Sequence, residues 1–421
     1  MTDGTAARSL WANGPFLRLW SGQTASAIGS QLSNLAIPVL AVSVLSASSF
    51  QVGLLGAVET AAFLVIGLPA GAWVDRWLKR RVMLFADLTR AIVLLAIPVL
   101  WFAGILNIWQ LIVVAGLAGA ATVFFEVAYQ SYIPVLVPAG ALAEANSRLE
   151  TTQQLARVGG PAISGALLAV VRPAILIAGD ALSYLLSFVV LSTIRDEEVR
   201  AARAERRPLV AEIREGMAFV LNEPLLRRIV LCTAVGNFFS TLTTTMLPVL
   251  VLRELHVGVA AWGVALSVGA VGGLLGALFS ARIARRIGEG TVIPLSALGL
   301  GLGLLLLGLM PLAPHAAVPI LVIAEFLVSF TVLIYNIAQV TFRQRICPRP
   351  LLGRMNASIR FVVWGVMPIA GIVSGLLSTA VGVVATVWIG GIGSTAACVF
   401  VLFSPLLGMR ELPSEATVEP S

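Results

Sequence analysis

The stretch Gly71-Ala-Trp-Val-Asp75-Arg76-Trp-Leu-Lys79-Arg80-Arg81 separates two long apolar runs, and its reading decides the fold. Charged side chains in the hydrocarbon region cost about 2.5–3.5 kcal/mol each on insertion scales, so this cluster marks one edge of a membrane. Basic loops favour the cytoplasmic face, and that single assignment orients every apolar run on either side. Lys79, Arg80 and Arg81 are equally compatible with a plain stop-transfer cluster and with a mechanistic role. Asp75 is different, because a topological signal needs no acid. Gly71 lies one helical turn before it, where a small residue permits close helix contact.

Outward from this loop, the composition agrees with a chain that lives in a bilayer. Hydrophobic residues make up 58% and charged residues 12%, far from the proportions of water-soluble domains. The formal net charge of +7 does not point to nucleic acid, because Arg and Lys sit in brief loops rather than on a basic face with aromatic platforms. Cys232, Cys347 and Cys398 are scattered, without metal-type spacing, and read as packing residues. No cofactor and no metal is expected. Arg8 and Arg18 precede the first apolar run, which lacks the pattern of a removable signal peptide and is expected to remain as a helix.

Runs of about twenty apolar residues, enough to cross a hydrocarbon core at about 1.5 Å per residue, recur along the chain. Six are expected before the longest polar segment: Phe16–Leu45, Val52–Val74, Arg81–Ala103, Ile108–Ile133, Thr152–Val171 and Ala174–Ile194. Six follow: Leu226–Leu252, Ala261–Ile283, Thr291–Leu312, Ala317–Thr341, Ser358–Val381 and Ala385–Leu407. With both termini cytoplasmic, one side collects Arg76 to Arg81, Arg148, the Arg195 to Arg228 region, Arg282/Arg285/Arg286 and Arg343/Arg345/Arg349/Arg354. The other side keeps only Arg172 and Arg253. A missed or invented span would reverse the sign for every loop beyond it, so this consistency supports the whole topology.

The fold class is therefore all-α integral membrane, with twelve transmembrane helices. Residues 1–194 form a first six-helix bundle and 226–407 a second. Residues 195–225 are a cytoplasmic linker in which Leu209, Ile213, Met217, Phe219 and Val220 recur at helical spacing, the mark of a short amphipathic helix on the membrane surface or against the bundle. The polar tail, 408–421, is expected to be disordered. Sliding the chain over itself by a little more than two hundred residues lays Gly71 on Gly276 and Arg80/Arg81 on Arg285/Arg286. Pro138 then meets Pro348, Asn146 meets Asn356, Ser164 meets Ser374 and Gly165 meets Gly375. An even number of helices per repeat makes the two halves parallel, with a substrate pathway near the midplane.

Three stretches carry a family resemblance: Gly71-x-x-x-Asp75-Arg76-x-x-Lys79-Arg80-Arg81; Ala145-Asn146-Ser147 leading into Gly160-Pro161-x-x-x-Gly165; and Gly353-Arg354-Met355-Asn356-Ala357. On these the chain resembles a major facilitator superfamily transporter over almost its entire length. More narrowly it resembles the macrolide-efflux and siderophore-exporter branch, of the transmembrane secretion effector type. The resemblance implies that the loop with Gly71, Asp75, Arg76, Arg80 and Arg81 is a conformational latch between the halves, with the helix beginning near Arg354–Ser358 as its partner. The family's antiporter signature in the fifth helix is similar to Gly160-Pro161-x-x-Ser164-Gly165, but Ala156 stands where a Gly is usual and Ser164 replaces the first Gly of the closing pair.

Pro161 removes an N–H inside an apolar helix and should bend it, while Gly160 and Gly165 let a neighbour approach, for packing or for gating. Acids within membrane spans are functional candidates by default. Asp87 with Arg90 reads as a structural ion pair near the inner surface, joined by Glu126 and Arg157. Asp180 is near a helix end and can cap or pair. Glu59 and Glu325 have no basic residue within a turn and are the candidates for proton coupling or for a cationic substrate, with a hydrogen-bonded structural carboxyl as the alternative. By the implied architecture the first, fourth, seventh and tenth helices line the cavity, which selects Gln23, Ser30, Asn34, Asn237, Thr241, Thr244, Tyr335, Asn336 and Gln339. A largely apolar lining with few polar anchors suits bulky amphipathic molecules better than sugars.

No nucleophile constellation and no phosphate-binding loop is present, so an enzyme is not expected and energy must come from an ion gradient. The expected function is export of small hydrophobic or amphipathic compounds, drug, macrolide-like metabolite or siderophore, by proton antiport with alternating access. Its partners are the plasma-membrane bilayer, a small-molecule substrate and protons, with no nucleic acid, and the protein acts as a monomer. The alternatives are an uptake permease of the same fold and a non-transporting membrane receptor or scaffold.

Overall fold

The computed structural model describes residues 10, 13–74, 77–195, 209–348 and 351–411, and every regular element among them is helical. In order these are α1 (Gly14–Val39), α2 (Ser49–Val74), α3 (Lys79–Phe102), α4 (Ile108–Leu136), α5 (Leu142–Leu168), α6 (Pro173–Ser192) and α7 (Leu209–Asn222). They continue as α8 (Pro224–Val249), α9 (Val259–Ile287), α10 (Val292–Leu309), α11 (Ala317–Ile346), α12 (Leu352–Val381), α13 (Val383–Ala397) and the short α14 (Val399–Leu402).

Local chemistry sets several helix starts. Ahead of α4, the Gln110 amide donates to Asn107 Oδ1 at 3.1 Å and the Asn107 amide donates to Gln110 Oε1 at 2.9 Å. Ser48 and Gln51 repeat that reciprocal cap at the start of α2, at 2.8 and 3.3 Å. Each pair satisfies two donors that the first turn would leave bare.

Large apolar side chains point outward along the bundles: Phe85 is 74% exposed, Val65 69% and Val170 84%. A surface of that kind belongs against lipid tails, not water. Among the described residues, eleven helical segments are long and apolar enough to cross a membrane. The expected twelfth is α5, which begins at Leu142 rather than near Thr152. It carries Glu144, Arg148, Glu150 and Arg157, so it falls outside that group by composition. The helix continues through Pro161 without ending.

The described residues form two compact units. One holds those up to Ser46 and those from Val58 to the start of the linker; the other holds Ala47–Ala57 and those from the linker helix α7 onward. The grouping differs from the expected one in the first turns of α2, which go with the second unit. Small residues there allow backbones to meet: a Cβ on Gly53 would lie 2.6 Å from the Gly371 carbonyl, and Arg253 donates to the Ala47 carbonyl at 2.7 Å. The tail beyond residue 411 and the linker residues 196–208 lie outside the described residues.

Within the first unit, α1 packs on α5 and α6, and α3 on α4 and α6; within the second, α9 packs on α11, α8 on α12 and α13, and α10 on α11 and α13. Both units repeat the same local devices. Pro38 in α1 and Pro248 in α8 each lack an amide donor, and each helix then widens into a π turn, Leu40–Val44 and Leu250–Glu254. Ser46 and His256 follow with φ of 50° and 51°. Ser164 donates to the Gln31 carbonyl at 3.0 Å, and its repeat mate Ser374 donates to the Leu242 carbonyl at 2.8 Å. The linker helix α7 packs on α12, where Glu215 pairs with Arg354 at 2.6 Å.

The glycine-rich face of α9 is a packing surface. A Cβ on Gly276 would lie 2.4 Å from the Phe330 carbonyl of α11, and helix backbone cannot yield there without moving the pair apart. Gly276→Val should therefore destabilise the protein by about 3 kcal/mol, seen as a lower unfolding temperature in detergent. Gly67→Ala, where a methyl meets open space, should leave that temperature unchanged or slightly raised.

Candidate functional site

Polar side chains from two helices of the second unit converge beside a cavity. On α11, Tyr335, Asn336, Gln339 and Arg343 recur at spacings that put them on one helical face. On α8, Thr233 and Asn237 lie one turn apart. The hydroxyls of Thr233 and Tyr335 are 2.7 Å apart, Gln339 Nε2 donates to Asn336 Oδ1 at 2.8 Å, and Arg343 Nη2 donates to Gln339 Oε1. Asn237 Nδ2 donates to the Val363 carbonyl at 3.1 Å, which fixes its amide against α12. The cavity has a volume of about 310 Å³, and its wall also includes Ala297, Leu300, Val332, Val363, Arg360 and Trp364. Its wall combines amide, hydroxyl and guanidinium groups with apolar side chains, which suits a molecule with both polar and apolar parts.

Of the expected cavity residues, Asn237, Tyr335, Asn336 and Gln339 are brought together here, and Thr241 is not among the lining residues. Thr241 sits one turn farther along α8, away from the Arg343 end. In the first unit, Gln23 is buried and Asn34 exposed, while Ser30 shares a 2.8 Å hydrogen bond with the Tyr184 hydroxyl. Arg343 is expected from its place in the sequence to mark loop topology. It is buried in α11 instead. Its position one turn beyond Gln339 on the same face was the available signal.

The two coupling candidates occupy different units. Glu59 is exposed on α2, with Gly119 of α4 against its backbone. Glu325 is half-buried on α11, where Gly269 of α9 packs on its backbone and Cβ. Asp87 and Arg90 form a buried ion pair, and Ser187 donates to the second Asp87 oxygen at 2.8 Å. The Arg90 guanidinium lies 4.2 Å from the Phe125 ring centre and 4.1 Å from that of Tyr184, a cation held between two ring faces. Glu126 and Arg157, expected to join this pair, make no ion pair with it among the described residues. Glu126 is half-buried and Arg157 exposed, and the charges of both Arg90 and Arg157 act on Glu126 without direct contact; Ser187 and Tyr184 of α6 touch the pair itself. Asp180, expected near a helix end, is buried two turns into α6 and accepts from Ser183 at 3.3 Å.

Of the expected latch, Asp75 and Arg76 lie outside the described residues, and Gly71 is in the last turn of α2. Arg80 donates to the Leu191 and Ser192 carbonyls, where a cation meets the C-terminal end of α6. Arg81 lies with Trp77, Phe85 and Phe124 around an apolar hollow. In α5, a Cβ on Gly160 would lie 2.4 Å from Gln31 of α1, so this glycine is required by close approach. With Ser164 it ties α5 to α1; Pro161 and Gly165 continue the same helix.

Membrane-crossing helices in two repeating bundles, with a partly polar cavity inside one of them, define an integral membrane transporter rather than an enzyme. A family model for transmembrane secretion effectors matches residues 6–420, and the chain belongs to this family of major facilitator transporters. It is 26% identical to the multidrug efflux pump Tap of Mycolicibacterium fortuitum, over 89% of this chain and 91% of that one. It is 24% identical to macrolide efflux protein A of Streptococcus pyogenes, over 87% of this chain and 90% of that one. The solved structure of the nucleoside transporter NupG is similar in fold, with a TM-score of 0.76 at 14% identity, covering 93% of this chain and 100% of that one.

Proposed function

We propose that this protein exports small hydrophobic or amphipathic compounds across the plasma membrane, by proton antiport with alternating access, as a monomer with both termini in the cytoplasm. The observation that carries this reading is similarity along about nine-tenths of both chains to pumps named for multidrug and macrolide efflux. The cavity supports it, since its wall of mixed polar and apolar side chains matches amphipathic molecules. The chain carries no phosphate loop, so the ion gradient is the energy source, worth about 2.3 kcal/mol per charge per 100 mV. Glu59 and Glu325 are the proposed proton carriers, and the Gly71–Arg81 loop biases the choice between conformations.

The test is accumulation of an amphipathic compound panel in an efflux-deficient host that expresses the protein. Export predicts lower accumulation than in the empty host, restored by a protonophore. Higher accumulation would instead make it an uptake permease, and no change for any compound would favour a receptor or scaffold.

A further inference from the structure

Arg343 is 8% exposed and sits within a membrane-crossing helix, yet its hydrogen-bond partner is the neutral amide of Gln339. Its Nε has no hydrogen-bond partner. Among the described residues no carboxylate pairs with Arg343, and the wall of the cavity beside it contains no Asp or Glu. A second arginine, Arg360, lines the same cavity, 5.8 Å from the Trp364 ring centre, and likewise has no ion pair among the described residues.

Arg80 and Arg253 rest on backbone carbonyls, whereas other arginines meet a carboxylate. Arg90, equally buried, has Asp87. The more exposed Arg148, Arg345 and Arg354 have Glu144, Glu289 and Glu215. A guanidinium removed from water is stable only when its charge is met, and a planar fork of donors fits a carboxylate in two-point geometry.

We infer that the cavity takes amphipathic organic carboxylates, with Arg343 as the direct partner of the anionic group and Arg360 as the second cation. The apolar residues Val332, Val363 and Trp364 receive the hydrophobic body. Asn336 and Gln339 hold Arg343 in place from its own helix. The inference rests on the export reading and narrows its substrate class, away from the cationic compounds that Glu59 and Glu325 alone would suggest.

The experiment uses the purified full chain in detergent with three probes of one shape: pyrenebutyrate, its methyl ester and the corresponding amine. Binding is read by energy transfer from tryptophan, and Trp364→Phe identifies the part of the signal that arises in the cavity. The carboxylate should bind at least about tenfold more tightly than the ester, the effect of one charge-assisted hydrogen-bonded contact. Arg343→Gln should remove that preference, so that carboxylate and ester bind alike, and Arg343→Lys should keep part of it, because charge remains without the planar fork.

Equal binding of the three probes by the unmodified protein overturns the inference. So does a preference that survives unchanged in Arg343→Gln. Should that variant fail to fold, Arg343→Lys and Arg360→Gln decide instead, and an undiminished preference in both overturns it. Gradient-dependent export of ester and amine without carboxylate preference sinks this inference and leaves export standing. Carboxylate preference without export of any probe does the reverse.

Discussion

Asp87→Ala is expected to destabilise the protein by about 3–5 kcal/mol, because it strands Arg90 in the bundle interior with no counter-charge. Asp87 is fully buried and Arg90 is 4% exposed, so water cannot take over the lost partner. Asp87→Asn should cost nearly as much: the shape and the Ser187 contact survive, but the charge does not. The two rings over Arg90 supply only part of the missing stabilisation, about 2 kcal/mol for a desolvated cation–π contact. Replacing both partners by Leu and Met should recover most of the loss, since removing a buried pair is often neutral or better than breaking it. Unfolding temperatures of the two single variants and the double variant in detergent check this. A single-variant loss below about 1 kcal/mol would mean that the pair is solvated and contributes little.

Glu59→Gln and Glu325→Gln have the largest expected functional effect. If one of these carboxyls carries the exchanged proton, its amide variant should still bind substrate but no longer concentrate it, so the export ratio falls to passive equilibrium. The two acids sit in different units, so the single variants separate their roles. Loss in one variant alone identifies the carrier. Gradient-driven export intact in both would remove these residues from the coupling mechanism and leave the transporter class untouched.

The bundles were legible because apolar runs and basic loops report the bilayer directly. Ser164 and Ser374, aligned from sequence alone, make the same inter-helix hydrogen bond in each unit. What sequence missed depended on rotation about a helix axis and on neighbours distant in the chain. The polar start of α5 has no apolar run, so its composition alone does not distinguish it from loop. Arg343 looked like a topological charge, because a basic residue at a helix end signals membrane orientation whether it faces water or a cavity. Depth along the helices places Glu126 and Arg157 near Asp87, and their charges do act on one another, but the direct contacts Ser187, Tyr184 and Phe125 come from α6 and α4, which nothing local in α3 specifies.

The measurement closest to the central claim is proton movement in proteoliposomes that hold the purified protein and a trapped pH indicator. With a pH gradient imposed, addition of a transported amphipathic compound should drive protons in the direction opposite to the compound, at a rate that vanishes in protein-free vesicles. Protons moving in the same direction as the compound, or compound movement indifferent to the gradient, would contradict antiport.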